Sequence, residues 1–167
     1  HTTATSALSN DQVFNLSKRN SLFAIRGNLI RDIRRYGSVI RAPQGVVENN
    51  TYVNTSSAAI VFRNEVDYWG NGLYSYSVLV RSNHIRDCAY DGSSTKDGSI
   101  TVKLEKLGYG MAEWRGQSTI LIENNFITNW QRFGIRVNSA SSIRVRNNTL
   151  VSDQTSFLVA SSLTNAL

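Results

Sequence analysis

Five stretches of the chain share one pattern of apolar and polar positions. In each stretch apolar residues alternate with polar ones, and an asparagine follows at a fixed place. The stretches are FAIRGNLIRD (23–32), VVENNTYVN (46–54), VLVRSNHIRD (78–87), ILIENNFITN (120–129) and IRVRNNTLVS (143–152). Alternation with a period of two is typical of half-buried β-strands, and a recurring unit of this length is typical of repeat architectures.

A second strand follows each stretch. These strands read GSVIR (37–41), AAIVF (58–62), GSITVKL (98–104), GIRVN (134–138) and SFLVA (156–160). The aligned asparagines are Asn28, Asn50, Asn83, Asn125 and Asn148, with spacings of 22, 33, 42 and 23 residues. A basic coil of about 22 residues, lengthened by loops, indicates a solenoid in which each coil contacts its neighbours. We predict an all-β fold, a right-handed parallel β-helix of about six to seven coils. It forms a single domain over residues 1–167, with regular coils from about 20 to 160.

The repeated asparagines have a physical reason in such a fold. A tight turn between strands needs a residue that tolerates left-handed backbone geometry, and asparagine does. Its side-chain amide can also bond to the asparagine of the next coil. The sequence therefore predicts that the five asparagines occupy left-handed turns and form a ladder, rather than bind a ligand.

Three insertions interrupt the coils, at residues 63–77, 88–97 and 105–118. Loops on a rigid scaffold commonly carry binding and catalytic residues, so function is expected there. The first and third insertions follow the second strand of neighbouring coils and should lie side by side, and the second should border the same face. Together they hold the acids Glu65, Asp67, Asp91, Asp97, Glu105 and Glu113.

Carboxylates mixed with aromatic rings suit a sugar site, because rings pack on apolar sugar faces and carboxylates accept hydroxyl hydrogens. Glycoside hydrolysis needs two carboxyl groups. The candidate catalytic residues are Glu65, Asp67, Asp91, Asp97 and Glu105.

A basic row adds to this picture. Arg41 and Arg63 each follow their asparagine by thirteen residues, and Lys103 ends the corresponding strand of the next coil. The row could hold an anionic sugar or keep a carboxylate ionised as a base, or it could only form ion pairs with the loop acids. The candidate substrate-binding residues are Arg41, Arg63, Trp69, Lys103 and Trp114.

Composition excludes several classes of protein. Hydrophobic residues make up 41% and charged residues 18%, which does not fit a disordered chain. Eighteen Lys and Arg exceed twelve Asp and Glu, but they are spread singly, so a glycan partner is favoured over nucleic acid. No apolar run is long enough to span a membrane. The single cysteine, Cys88, is expected to be a buried structural residue. No cofactor and no metal site are expected.

The chain begins and ends without an evident cap for a solenoid. We therefore expect it to be a fragment of a longer helix, with flanking β-helix coils or self-association of copies covering its ends. A secreted or extracellular location, the periplasm included, is expected for a carbohydrate-active β-helix.

The repeat resembles the pectate-lyase-like β-helix superfamily over most of the chain. Residues 46–92 place Asn64, Glu65, Trp69, Gly72, Asn83 and Cys88 in an order similar to that of glycoside hydrolase family 110. Members of that family are α-1,3-galactosidases that remove terminal galactose with inversion. The family has two adjacent acids where this chain has Asn64 and Glu65. The resemblance therefore implies that Glu65 is the general base, with Asp67 as the nearest substitute.

Three functions follow from these patterns. The first is an inverting glycoside hydrolase acting on a polysaccharide or galactoside-like glycan, with Asp91, Asp97 or Glu105 as the acid. The second is a non-catalytic β-helix for polysaccharide binding, adhesion or a phage tail-spike, which predicts acids that are scattered or paired to arginines. The third is a polysaccharide lyase, which predicts a Lys or Arg at the centre of a groove.

Overall fold

The computed structural model describes residues 15–66, 73–91, 97–106, 108, 110–113 and 115–152. Within these residues the chain forms short β-strands and one 3₁₀ turn at Leu16–Lys18. No helix in this part of the chain is long and apolar enough to cross a membrane. In chain order the strands are β1 (Phe23–Arg26), β2 (Leu29–Ile33), β3 (Ser38–Ile40), β4 (Gly45–Glu48), β5 (Thr51–Thr55), β6 (Ile60–Phe62), β7 (Tyr76–Arg81), β8 (His84–Arg86), β9 (Ile100–Val102), β10 (Gln117–Glu123), β11 (Phe126–Thr128), β12 (Ile135–Val137), β13 (Ala140–Arg146) and β14 (Thr149–Val151).

The strands form three parallel sheets, in which every third strand along the chain lies side by side. Sheet A has the order β1-β4-β7-β10-β13, sheet B the order β2-β5-β8-β11-β14, and sheet C the order β3-β6-β9-β12. We call each successive set of three strands a coil. The described residues hold four complete coils and the sheet A and sheet B strands of a fifth. An all-β chain with parallel sheets in this order is consistent with the predicted β-helix.

Each complete coil has three strands, whereas the apolar pattern predicted two. The additional strand belongs to sheet B, follows the asparagine directly and is only three to five residues long. The core lies between the three sheets. Val47 of sheet A, Tyr52 of sheet B and Phe62 of sheet C are completely buried in one cluster. Burying an apolar side chain of this size contributes about 1.5–3 kcal/mol to folding.

The asparagine ladder is confirmed. The side-chain nitrogens of Asn28, Asn50, Asn83 and Asn125 donate to the Oδ1 atom of the next ladder asparagine at 2.9, 3.0, 2.9 and 2.9 Å. The same oxygens accept the backbone N–H of the asparagine one coil earlier. The ladder residues of coils two to four are at most 1% exposed. The ladder therefore satisfies buried backbone donors as well as linking coils.

The left-handed backbone lies one residue before the ladder, so that part of the prediction was wrong. Positive φ angles of 65°, 55°, 53°, 54° and 53° occur at Gly27, Asn49, Ser82, Asn124 and Asn147. The ladder asparagines are not among the positive-φ residues of the described chain. The left-handed residue turns the chain between sheets A and B, and the asparagine that follows it then points its amide inward, where it reaches the coils on both sides.

This row gives a first testable prediction. Gly27→Asn should leave the free energy of unfolding unchanged within about 0.5 kcal/mol, because asparagine already holds the same left-handed position in three other coils. Gly27→Val should lose about 1–2 kcal/mol, because a β-branched residue is strained there. A Cβ at Gly27 meets nothing within 4 Å, so backbone conformation alone separates the variants. Urea unfolding measures both, and equal stabilities would show that Gly27 is not held left-handed.

The insertions lie between successive strands of the three sheets. The first and third leave sheet C after β6 and β9 and re-enter sheet A at β7 and β10, and these are neighbouring strands in both sheets. The second lies between β8 and β9. All three therefore border sheet C.

Candidate functional site

The predicted basic row stacks at the end of sheet C. The last residues of β3, β6 and β9 are aligned in register, and Arg41, Arg63 and Lys103 directly follow them. The Lys103 N–H donates to the Phe62 carbonyl oxygen at 2.8 Å, so the stacking continues past the strand ends. Since the last residue of each strand points into the core, the residue that follows points outward.

Three carboxylates interleave with these cations. Glu65 accepts a hydrogen bond from the Arg41 guanidinium, and its Oε1 lies 3.4 Å from Nη1 of Arg63. Nη2 of Arg63 lies 2.8 Å from Oε2 of Glu105. Nζ of Lys103 lies 3.2 Å from Oε1 of Glu105 and 2.7 Å from Oδ1 of Asp97. We call this alternating set the charged row; in order it comprises Arg41, Glu65, Arg63, Glu105, Lys103 and Asp97.

Most of the charged row is covered. The exposed fraction of the side chain is 14% for Glu65, 12% for Arg63, 11% for Glu105 and 2% for Asp97. Exposed ion pairs contribute only about 0–1 kcal/mol. Removing one partner of a covered pair instead leaves a charge without compensation, at a cost of up to about 3–5 kcal/mol. The row is therefore a fixed arrangement of charges rather than a set of loose surface contacts.

Asn64 fastens the first insertion to the third. Its side-chain nitrogen donates to the Glu105 carbonyl oxygen at 2.7 Å, and its Oδ1 accepts the Glu105 N–H at 2.7 Å. Asn64 is 4% exposed. An ionised acid at this position could not donate the first of these bonds. Asparagine therefore holds the backbone of Glu105 in a way that a carboxylate could not.

A tight turn places Asp97 at the other end of β9. The Gly98 N–H donates to Oγ1 of Thr101 at 2.8 Å, and the Thr101 hydroxyl donates to the Gly98 carbonyl oxygen at 3.1 Å. Thr101 is in register with Val61 of the neighbouring strand, and each lies between two inward-pointing residues. Their side chains are therefore on the outer face of sheet C. Both side chains are nevertheless fully buried. The second insertion thus returns to sheet C with its last acid beside Lys103.

Tyr36 supports Arg63 from the first coil. Its hydroxyl oxygen accepts a hydrogen bond from Nη1 of Arg63, whose guanidinium carbon lies 5.4 Å from the centre of the tyrosine ring. Burial raises the pKa of Tyr36 above its ordinary value, and the charge of Arg63 opposes that shift. Burial also works against the charge of Arg63, but Tyr36, Glu105 and Glu65 together raise its pKa. Arg63 therefore remains a cation at the middle of the row.

Two buried polar residues that the sequence did not single out anchor the insertions. Ser75 and Gln117, both completely buried, are where the first and third insertions rejoin sheet A. Oε1 of Gln117 accepts the Ser75 N–H at 2.8 Å, and the Ser75 hydroxyl donates to the Ile40 carbonyl oxygen at 3.2 Å. The side-chain nitrogen of Gln117 donates to the Lys103 carbonyl oxygen at 3.3 Å. Ser75 and Gln117 each lie three residues before the first apolar residue of the aligned stretch that follows. This shared spacing is the sequence signal that could have identified them.

The other candidates lie elsewhere. Asp91 is placed by its N–H, which donates to the Ser56 carbonyl oxygen at 2.7 Å at the corner before β6. The Glu113 side chain is 95% exposed, with Lys106 at 3.7 Å. Cys88 is buried as predicted, its thiol donates to the Arg86 carbonyl oxygen at 3.2 Å, and burial raises its pKa. Asp67, Trp69 and Trp114 lie outside the described residues.

Glu65 and Glu105 are the two candidate carboxylates that contact the same guanidinium, that of Arg63. Glu65 lies 3.4 Å from one terminal nitrogen of this guanidinium, and Glu105 lies 2.8 Å from the other. The distance between the two contacting carboxylate oxygens therefore cannot exceed the sum of these contacts and the distance between the two nitrogens. That separation lies below the upper limit of roughly 9.5 Å for an inverting pair of carboxyl groups. Both keep some exposure, whereas Asp97 is nearly completely covered. The arrangement can therefore present two carboxyl groups and a central cation to one ligand.

Fold and site together describe an all-β protein of parallel sheets, consistent with a β-solenoid, with carboxylates and cations interleaved at one sheet, and similarity to known proteins adds to this description. The chain is 28% identical over 133 residues to a protein from Bacteroides fragilis named alpha-1,3-galactosidase A, and 29% identical over 121 residues to a protein of that name from a second strain. The matches cover 78% and 71% of this chain, but the chain spans only about a fifth of these relatives, 22% and 20% of their lengths. No protein-family model matches the chain. These similarities support a relationship to glycoside hydrolases.

Proposed function

We propose that this chain carries the active site of an inverting glycoside hydrolase that acts on a galactoside-like glycan. The observation that carries the proposal is the bridging of Glu65 and Glu105 by Arg63 on the outer face of sheet C. The similarity to proteins named alpha-1,3-galactosidase A supports the substrate class. We further propose right-handed winding, because a crossover between parallel strands is right-handed in nearly all folds. A helix of about six to seven coils and a secreted location are also part of the proposal.

Glu65 is proposed as the general base that activates water, and Glu105 as the acid that protonates the leaving oxygen. The family resemblance points to Glu65. Glu105 is the better acid candidate because it is 11% exposed and shares Arg63 with Glu65, whereas Asp97 is only 2% exposed, so its oxygens have little access to a sugar. Asn64 holds the backbone of Glu105, and Tyr36 holds Arg63, which contacts both carboxylates. Fixed geometry of this kind is what allows two groups to act on one bond.

A non-catalytic β-helix that binds polysaccharide is the second candidate. It is favoured by one observation, that Glu65, Glu105 and Asp97 each contact at least one cation. Acids paired with basic residues are what a purely structural row would show. A polysaccharide lyase is a third candidate, since Arg63 lies at the middle of the row, but its guanidinium contacts both Glu65 and Glu105 and would have to leave them to meet a substrate.

Product analysis with the purified protein separates these candidates. We expect release of free galactose from an oligosaccharide that ends in α-1,3-linked galactose. Glu113→Gln, a change of a 95% exposed acid outside the charged row, should leave the rate unchanged. An unsaturated uronate product would indicate a lyase. Binding of the oligosaccharide without any product would indicate the non-catalytic β-helix, and either result would contradict the proposal.

A further inference from the structure

The outer face of sheet C continues past the charged row into the fourth coil, and there it becomes positive. The charged row itself is balanced, with three cations against three carboxylates. Residues 124–139, which hold β11 and β12 of the fourth coil, contain two arginines, Arg132 and Arg136, and no acid. This part of the fourth coil therefore adds positive charge beside the balanced charged row.

Arg136 is the cation that this coil places on the face. Its partner in register is Thr101, so Arg136 continues the outward row of Val61 and Thr101, two residues along the strand from the position of Arg63 and Lys103. Its side chain is half-buried, and among the described residues it forms no ion pair. Strands in a sheet are spaced about 4.7–4.9 Å apart and rise about 3.3 Å per residue, so Arg136 lies roughly 12 Å from Arg63, across two strands and two residues. A glycan that covers the charged row can therefore reach Arg136 with the next sugar or the one after it.

A phenylalanine fixes the position of this cation. The guanidinium carbon of Arg136 lies 5.5 Å from the centre of the Phe133 ring, and that of Arg132 lies 5.9 Å from the same ring. The Phe133 carbonyl oxygen accepts the Ser99 N–H at 3.0 Å, which ties this corner to the turn that carries Asp97. Two guanidinium groups thus share one ring beside the end of the charged row. Stacking of this kind restricts an arginine without neutralising it.

The electrostatics leave Arg136 short of negative charge. Burial lowers its pKa from the ordinary value, Asp97 opposes that shift, and Arg132 adds to it. Asp97 has its closest contact with Lys103, at 2.7 Å, so its charge is already shared. A covered cation with a second cation nearby is stabilised by an anion that can approach from solvent.

We propose that Arg136 binds an anionic substituent on a sugar one or two residues from the galactoside, either a carboxylate or a sulfate ester. The claim that this anion belongs to the substrate rests on the proposed hydrolase function. The claim that Arg136 binds an anion does not. The substrate would then be an acidic glycan rather than a neutral one. An arginine recognises both substituents through the same paired N–H groups.

Calorimetric titration of the purified protein tests this subsite. The probes are galacto-oligosaccharides of equal length that are neutral, carry one uronate, or carry one sulfate ester. We expect at least one acidic probe to bind about 10- to 100-fold more tightly than the neutral probe, the range for charge-assisted hydrogen bonds. Arg136→Gln should reduce that ratio to about one, and Arg136→Lys should keep part of it. Arg144→Gln is the matched control, because it removes an exposed arginine on sheet A and should leave the ratio unchanged.

The outcomes separate the subsite from the hydrolase. Equal affinity for all three probes, or an Arg136→Gln variant with an intact thermal melt that keeps the preference, would overturn the subsite even if galactose is released. A preference that depends on Arg136 without any release of galactose would support the subsite and overturn the hydrolase. A single-stranded oligonucleotide that binds as tightly as the acidic probes through Arg136 would assign the surface to nucleic acid and overturn the glycan proposal.

Discussion

We expect Glu65→Gln to lower the turnover of an α-1,3-linked galactoside by about 100- to 10,000-fold, the range for removal of a general base, if Glu65 has the proposed role. The substitution keeps the shape of the side chain and removes its ability to take a proton from water. Its carboxylate contacts two arginines, so the amide also loses attraction to Arg41 and Arg63. Initial rates and the melting temperature are measured on the same preparation.

Two further variants make this result interpretable. Glu113→Gln is the matched control, because that side chain is 95% exposed and should leave both rate and melting temperature unchanged. Glu105→Gln should lower turnover as well, if Glu105 donates the proton to the leaving oxygen. A Glu65→Gln variant that keeps at least a third of the wild-type rate would remove Glu65 from the mechanism. A variant that loses its rate only because it no longer melts cooperatively would assign Glu65 a structural role.

Asn83→Ala is expected to lower the free energy of unfolding by about 2–5 kcal/mol. Oδ1 of Asn83 accepts from the backbone nitrogen and the side-chain nitrogen of Asn50 at 3.1 and 3.0 Å. Its own nitrogen donates to the Val47 carbonyl oxygen and to Oδ1 of Asn125, both at 2.9 Å. Asn83 is completely buried, so alanine leaves donors and acceptors on both neighbouring coils without a partner. Urea unfolding of both proteins measures the loss.

The ladder supplies its own control. Asn28 is exposed, and its side-chain nitrogen donates to the Arg26 carbonyl oxygen and to Oδ1 of Asn50. Water can replace these bonds, so Asn28→Ala should cost about 1 kcal/mol or less. Equal losses for Asn28→Ala and Asn83→Ala would mean that burial of the ladder does not determine its contribution to stability.

The ladder was predictable from spacing, while the left-handed position was not. Three coils carry two adjacent asparagines, and either residue of such a pair tolerates positive φ. The useful signal was Gly27, because a glycine in the first of the two positions marks where the backbone turns. The short sheet B strands were missed for a related reason, since three residues after an asparagine are too few to show a period of two.

The positions of the basic row were also predictable, because Arg41 and Arg63 stand at equal distances from ladder residues that are stacked in register. The pairing with acids was not. Which carboxylate meets which cation depends on how each insertion folds back on sheet C, as the turn at Gly98 and the bonds from Asn64 show. The apolar pattern alone cannot predict the role of an isolated polar residue such as Gln117, because its hydrogen bonds to Ser75 and Lys103 depend on the register of the coils.

The proton NMR spectrum of galactose released during the first minutes of reaction tests the central claim most directly. If Glu65 activates water on one face of the sugar while Glu105 protonates the oxygen on the other, an α-linked galactoside gives β-galactose first, and the α-anomer appears only as the solution equilibrates. Release of α-galactose first would show retention and contradict the roles proposed for Glu65 and Glu105. Release of no galactose at all would contradict the hydrolase itself.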